Sequence, residues 1–352
     1  MTEFSGARGA RGRFGKNGRI MKTKPTTLAT RRQTLGALAA GLGSLALPST
    51  GAAQSFPTKP IRVLIPVPAG GTMDVLTRAI AAYVKDSLGT VILDHKSGAN
   101  GNIAMEAAKA ADPDGHTLVL GTASMLTMNP HTYKDVKFDP IKDYEPIVLA
   151  SRFELALNVH PSVPANNLKE LIEWIKANPA KASIASYGAG TPSHFLIEML
   201  NEAAGIKAIH VPYRGSTGAR QDILGGQILI FFDVVGGSIA HRNSGKVKIL
   251  ATSGTTRSPF MPDVPTMIEQ GFPSLRAGAW FSYLAPAKTP KAVMERLHLE
   301  FNKAVQSREV RSQLLTAGMY PVGGTRAELT AKIKEDSAQW ARVVKATGFV
   351  AS

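Results

Sequence analysis

The chain of 352 residues contains no cysteine. That excludes disulfide staples and thiolate metal centres, so stability has to come from a packed core. Aromatic residues are sparse, at 7%, and none are interleaved with blocks of basic residues, which argues against a nucleic-acid surface. The eight histidines, His95, His116, His131, His160, His194, His210, His241 and His298, show neither HxxxH nor HxH spacing. No metal site is expected from them. GxSxG and the P-loop pattern GxxxxGK followed by Ser or Thr are missing, and the Gly-rich turn near residue 70 is not GxGxxG. Hydrolase-elbow and nucleotide-binding readings therefore lack their local signals, and no cofactor is expected.

Long apolar runs are absent too. The stretch LGALAAGLGSLAL at 35–47 has 13 residues, too short to span a bilayer. It follows a basic run (Lys22, Lys24, Arg31, Arg32) and precedes the small residues Gly51, Ala52 and Ala53. That is the order of an export signal, so residues 1–53 are read as a signal peptide removed from the mature protein. The pair Arg31-Arg32 looks like a twin-arginine signal. Thr34 stands where Phe is usual, so the general secretory route stays open. Met21 begins a more ordinary leader, which makes residues 1–20 a start-site question. Of the 41 basic and 26 acidic residues, nine and one lie in 1–53. The remainder carries a modest positive excess spread along the chain, suited to small anions.

What is present is a repeated strand–turn–helix plan. IRVLI (61–65) ends in the turn PVPAGG, and DVLTRAIAAYVKDSL (74–88) follows with helical spacing of its apolar residues. TVILD (90–94), HTLVLGT (116–122), FELALNVH (153–160), KASIAS (181–186), QILIFFD (227–233) and KVKILATSG (246–254) read as further strands, with helices between them. The alternation predicts an α/β architecture with parallel sheets. Two further helices, near 290–306 and 326–347, end the chain. At about 300 mature residues the size favours two lobes.

Four strand-to-helix junctions are shaped for an anion. They are Gly70-Gly71-Thr72, Gly121-Thr122-Ala123-Ser124, Ser186 to Thr191, and Tyr213 to Thr217 around Gly215. Helix N-termini carry unpaired N–H donors and partial positive charge, and glycine lets a ligand approach the backbone. Thr191 is expected to be an N-cap with Pro192 at the first helical position. Asp74 reads either as a general base or as an acid complementing the helix dipole. Ser186 or Ser124 with His194 could form a nucleophile–base pair, but loop and cap roles fit these hydroxyls better. Trp280 and Phe281 are expected in the core rather than lining a pocket.

Several segments in fixed order carry a resemblance. They are FPTKPIRVLIPVPAGGTMDVLTR, SGANGNIAMEAAKAADPDGHTLVLGT, NPHTYKDVKFDPIKDYEPI, SYGAGTPSHFLIEML, VPYRGSTGARQDILGGQILIFFD and DVPTMIEQGFP. From about Phe56 onward the chain resembles the periplasmic receptors of tripartite tricarboxylate transporters, also called Bug receptors. The resemblance implies a type II periplasmic-binding-protein fold, with two α/β lobes closing on a cleft like a Venus flytrap. Lobe 1 would be 54–155 plus 279–352, the C-terminal segment returning to it, and lobe 2 would be 156–278. It further implies a periplasmic monomer without enzymatic activity that captures a small organic acid for a membrane permease or a sensor. The alternative is an exported hydrolase or isomerase using Asp74 and His194. The loops Pro68–Asp74 and Ser186–His194 would hold the carboxylate through backbone amides, hydroxyls and water. Ala69, Gly70, Gly71, Ser186, Gly188, Gly190 and Thr191 match those loops, as do Asp74 and His194, with Thr72, Thr122 and Gly215 as further candidates. Departures from the family pattern are Thr72-Met73, Gly218 in place of a frequent proline, and His95-Lys96-Ser97 before the GANGN turn.

Overall fold

The computed structural model describes residues 56–351; the expected signal peptide and start-site question lie outside the described residues. The strands are β1 (Ile61–Ile65), β2 (Val91–His95), β3 (Thr117–Thr122), β4 (Tyr144–Val159), β5 (Ser183–Ser186), β6 (Ile209–Pro212), β7 (Ile230–Val234), β8 (Lys248–Thr252), β9 (Gly278–Pro286) and β10 (Tyr320–Pro321). They form one continuous path, β2-β1-β3-β9-β4-β7-β5-β6, with β8 and β10 also paired to β4.

The expected parallel pairing holds only in the two wings. β2-β1-β3 and β6-β5-β7 are parallel, whereas β9, β4, β8 and β10 join them in antiparallel fashion. The long β4 connects the wings. It pairs with β9 as far as Glu154↔Gly278 and with β7 from Leu155↔Val234. Its first half, YEPIVLAS, reads as a Pro-punctuated lead-in, yet it is strand. Pro146 is accommodated because the register shifts between Pro146 and Val148, where a missing N–H costs the ladder nothing.

Helices cover the wings because their apolar residues recur every three or four positions. In Thr72–Leu88 the stripe is Leu76, Ala79, Ile80, Val84 and Leu88, all buried. The core is contiguous across both wings, from Ile61 and Val63 through Leu155 and Leu157 to Phe195 and Leu200. Trp280 and Phe281 belong to the core, 3% and 4% exposed, with the indole N–H donating to Asp336 Oδ2 at 2.7 Å. A helix at Arg308–Thr316 is additional to the expected ones; Ser307 caps it by accepting from the Val310 N–H.

The C-terminal helices lie against β4 and the helix Thr72–Leu88. Arg296 donates to the Ser87 carbonyl at 3.1 Å, and Arg326 to the Pro146 carbonyl at 2.8 Å. The end of the chain reaches further. Trp340 packs on Phe195, with ring centroids 5.7 Å apart, and Phe349 meets the His194 ring edge-on at 4.5 Å.

The last helix, Arg326–Thr347, begins with a reciprocal capping box between Thr325 and Glu328. Replacing Thr325 by Ala should lower unfolding free energy by about 1 kcal/mol. Urea denaturation would read this, and ligand affinity should be unchanged because the cap is remote from the loops described next.

Candidate functional site

All four candidate junctions lie at carboxyl ends of parallel strands: β1, β3, β5 and β6. This is where α/β sheets bind ligands, because each following helix directs its free N–H groups there. After β1, Gly70 adopts φ +95°, and a Cβ at Gly70 or Gly71 would meet nothing within 4 Å. The loop backbone therefore faces open space. Gly71 is the N-cap of Thr72–Leu88, and no side chain caps that end.

Asp74 is buried and holds this loop in shape. Its Oδ2 accepts from the Gly70 N–H at 2.7 Å. Oδ1 makes no hydrogen bond, although His95 Nε2 approaches to 3.3 Å without donor alignment. On its other side, His95 Nδ1 lies 2.8 Å from the Val67 carbonyl. Arg78 Nη2 stands 3.9 Å from Oδ2. The carboxylate is thus surrounded by cationic or cationisable partners and tied to a loop amide. That is an anchoring arrangement. Ala69 and Thr72 lie on the same loop, Ala69 exposed and Thr72 half-buried.

After β5, the loop Ser186–Thr191 is held by its own hydroxyls. Ser186 is fully buried. Its Oγ donates to the Gly188 carbonyl at 3.1 Å, accepts from the Gly188 N–H at 3.2 Å, and lies 2.7 Å from His210 Nε2. Thr191 is the N-cap by backbone position with Pro192 first in the helix, as expected, but its side chain does not cap. Instead it donates back to the Gly188 carbonyl at 2.6 Å. Gly190 adopts φ +68°, and its N–H donates to His194 Nδ1 at 3.1 Å. The Pro192–Ala204 helix therefore has no side-chain acceptor on its first amides.

His194 and His210 stack beneath this loop, centroids 3.9 Å apart and 16° from parallel. Burial, reinforced by His210, holds His194 down to about 3; burial holds His210 down to about 4. Both rings are neutral at ordinary pH, which suits the acceptor role of His194 Nδ1. The imagined pairing of Ser186 with His194 is not formed. Ser186 meets His210 instead and has no exposed surface, so it is not an available nucleophile.

The third and fourth junctions differ. Gly215 (φ +93°) donates to the Tyr187 carbonyl at 2.9 Å, and Tyr213 N–H donates to the Ser186 carbonyl at 3.0 Å. The loops after β5 and β6 are thus joined into one surface. Thr122 Oγ1 accepts from the Met125 N–H at 3.2 Å and so caps the turn that follows β3. Behind Tyr187, buried Asp233 is paired with Arg220 at 2.6 Å. An anion on this side therefore meets no uncompensated carboxylate. Burial, then the Asp233 charge, raises the Tyr187 phenol far above its usual range.

Three residues that motif reading does not single out face the second loop. A Cβ on Gly190 would lie 3.4 Å from Phe349, 3.6 Å from Thr132 Oγ1 and 3.9 Å from Asn100 Nδ2. Asn100 lies in the GANGN turn and Thr132 in the NPHTY segment, neither of which has an anion-binding pattern of its own. Among the described residues, no three His, Cys, Asp or Glu side chains gather as metal ligands.

Glycine-lined helix N-termini at the carboxyl ends of parallel strands in both wings of an α/β fold are features of a solute-binding receptor. The sequence profile of the tripartite tricarboxylate transporter family receptor matches residues 76–349, and the chain belongs to that family. It is 31% identical over 298 residues to protein BugT of Bordetella pertussis, covering 84% of this chain and 91% of BugT. Among solved structures, it is similar to the periplasmic binding protein BugD, with 32% identity and a TM-score of 0.79 over 84% of this chain and 99% of BugD. It is also similar to the R. palustris protein Rpa4515 with adipate, at 27% identity and a TM-score of 0.79, over 84% and 99% of the two chains.

Proposed function

We propose that the protein is a non-catalytic periplasmic receptor that captures a small carboxylate between the loops Pro68–Asp74 and Ser186–His194. The observation that carries this reading is the pair of helix N-termini at Gly71 and Thr191, neither capped by a side chain. Uncapped amides and the helix dipole favour a carboxylate there, each by a few tenths to about 1 kcal/mol when exposed. The similar Rpa4515 structure contains adipate, a molecule of this class.

Two lobes, 54–155 with 279–352 and 156–278, move about β4 in this reading. The change of β4's partner from β9 to β7 between Glu154 and Leu155 supports that division. A ligand touching both loops favours the closed arrangement, and one touching a single loop does not. The receptor, acting as a monomer, passes its ligand to a permease of the tripartite tricarboxylate type. The leader at 1–53 exports it by a twin-arginine-like or general secretory route. The hydrolase or isomerase alternative is disfavoured because Asp74 and His194 are both engaged with loop amides.

A thermal-shift screen with acetate, succinate, malate, adipate and benzoate tests the proposal. At least one acid should raise the melting temperature by several degrees at 100 times its Kd, equivalent to about 2.7 kcal/mol. A shift with neutral amides or sugars and with none of the five acids would overturn it.

A further inference from the structure

The carboxylate reading names backbone donors on both loops but no side chain that crosses the cleft from the first wing. Thr132 closes the short helix Asn129–Thr132 and is 1% exposed. Its hydroxyl has no hydrogen-bond partner, while its backbone carbonyl is occupied by the Ala351 N–H at 2.7 Å. The hydroxyl faces the second loop, 3.6 Å from the Cβ position of Gly190. A buried hydroxyl left unpaired is costly, and native proteins rarely keep one without a use.

Asn100 stands beside it. Ala99 and Asn100 are consecutive non-glycine residues at φ +45° and +50°, a conformation glycine would adopt with less strain. Buried Asn129 stabilises the turn. Its Oδ1 accepts from Asn100 Nδ2 at 2.9 Å, and its Nδ2 donates to the Asn100 carbonyl at 3.1 Å and to Asn102 Oδ1 at 2.5 Å. The network uses one of the two Asn100 Nδ2 protons. The carboxamide itself lies across the second loop, Oδ1 and Nδ2 each 3.9 Å from the Cβ positions of Gly188 and Gly190 respectively.

We infer that Thr132 and Asn100 are the first wing's side-chain donors to the carboxylate held at Gly188–Thr191. The Thr132 hydroxyl and the second Asn100 N–H would each supply one hydrogen bond to it. One carboxylate then touches both wings, which is the condition for a ligand to favour closure. This rests on the carboxylate reading, since a charged acceptor makes each of these bonds roughly twice as strong as a neutral one does.

The test uses whichever of the five acids above shifts wild-type melting most. Thr132→Val is isosteric and removes only the hydroxyl. It should leave the ligand-free melting temperature unchanged or raised, because no bond is lost, yet weaken binding about tenfold by calorimetry. Thr132→Ser keeps the hydroxyl and should restore affinity to within about twofold. Asn100→Gly relieves the backbone but leaves buried Asn129 Oδ1 without its donor, so its ligand-free melting temperature should fall while binding weakens about tenfold. The inference is overturned if Thr132→Val or Asn100→Gly binds like the wild type, or if the affinity and ligand-free melting temperature of Thr132→Val fall together. A wild type that responds to none of the five acids defeats the carboxylate reading first, and is distinguishable from either result.

Discussion

Asp74→Ala should weaken ligand binding on the order of 100-fold, because it releases the Pro68–Asp74 loop that forms half of the proposed site. The Gly70 N–H loses the Oδ2 acceptor at 2.7 Å, and His95 loses the carboxylate 3.3 Å away. A loop that must be ordered on binding charges its ordering entropy to affinity, whereas one already held does not. Unfolding free energy should fall as well, by about 1–3 kcal/mol, the usual consequence of leaving a buried hydrogen-bonded group without its partner. Asp74→Asn retains an oxygen for Gly70 and should bind much more tightly than the Ala variant. Titration calorimetry on the three proteins checks the order. Equal affinity for wild type and Ala would refute the anchoring role. Conversion of a bound acid by wild type, lost in Asp74→Asn with binding retained, would restore the enzymatic alternative.

Acid should destabilise the protein through the stacked histidines. Both rings titrate well below the ordinary value of about 6.5, His194 near 3 and His210 near 4, chiefly because they are buried. In the unfolded chain they bind protons first as pH falls. Their contribution to stability is therefore complete above about 6.5 and is lost progressively as pH drops from there through the folded values. One unit of displacement is worth about 1.4 kcal/mol, so the pair together amounts to several kcal/mol on the order of the shifts given. The folded rings resist protonation for a structural reason. A proton on His194 Nδ1 removes the acceptor of the Gly190 N–H, and two charged rings 3.9 Å apart repel. Glu198, whose carboxyl burial raises, lies 3.5 Å from His194 Nε2 and offsets only part of this.

Denaturation midpoints measured between pH 7.5 and 4 should fall steeply for wild type. His210→Gln, which keeps a polar partner for Ser186 and removes one ring, should flatten the slope. A wild-type curve level across that interval would show that the pair does not control acid stability. Ligand affinity of the folded protein should instead hold down to about pH 4, because His194, held down to about 3, stays neutral there and keeps accepting from the Gly190 N–H.

The two predictions draw on different kinds of information. That residues 68–74 and 186–194 form glycine-lined strand-to-helix loops was legible in the chain, since glycine, a hydroxyl residue and a proline at such a junction act locally. The core assignment of Trp280 and Phe281 was legible for a similar reason: both lie within an apolar strand. What Asp74 does was not legible. Its partners Gly70, His95 and Arg78 include one brought from the end of β2, and no local spacing records that meeting. The same holds for His210, which motif reading treats as one unpaired histidine among eight, and for Thr132 and Asn100.

By itself the sequence determined most strand and helix positions, the glycine-lined junctions and the family, because each depends on neighbours along the chain. Only the tertiary structure decided that the sheet turns antiparallel at its centre, that Ser186 meets His210 and not His194, and that Asn100, Thr132 and Phe349 face Gly190. These depend on distances between segments up to 249 residues apart in the sequence (Asn100 to Phe349). They are set by how the two wings pack about β4, which no local propensity encodes.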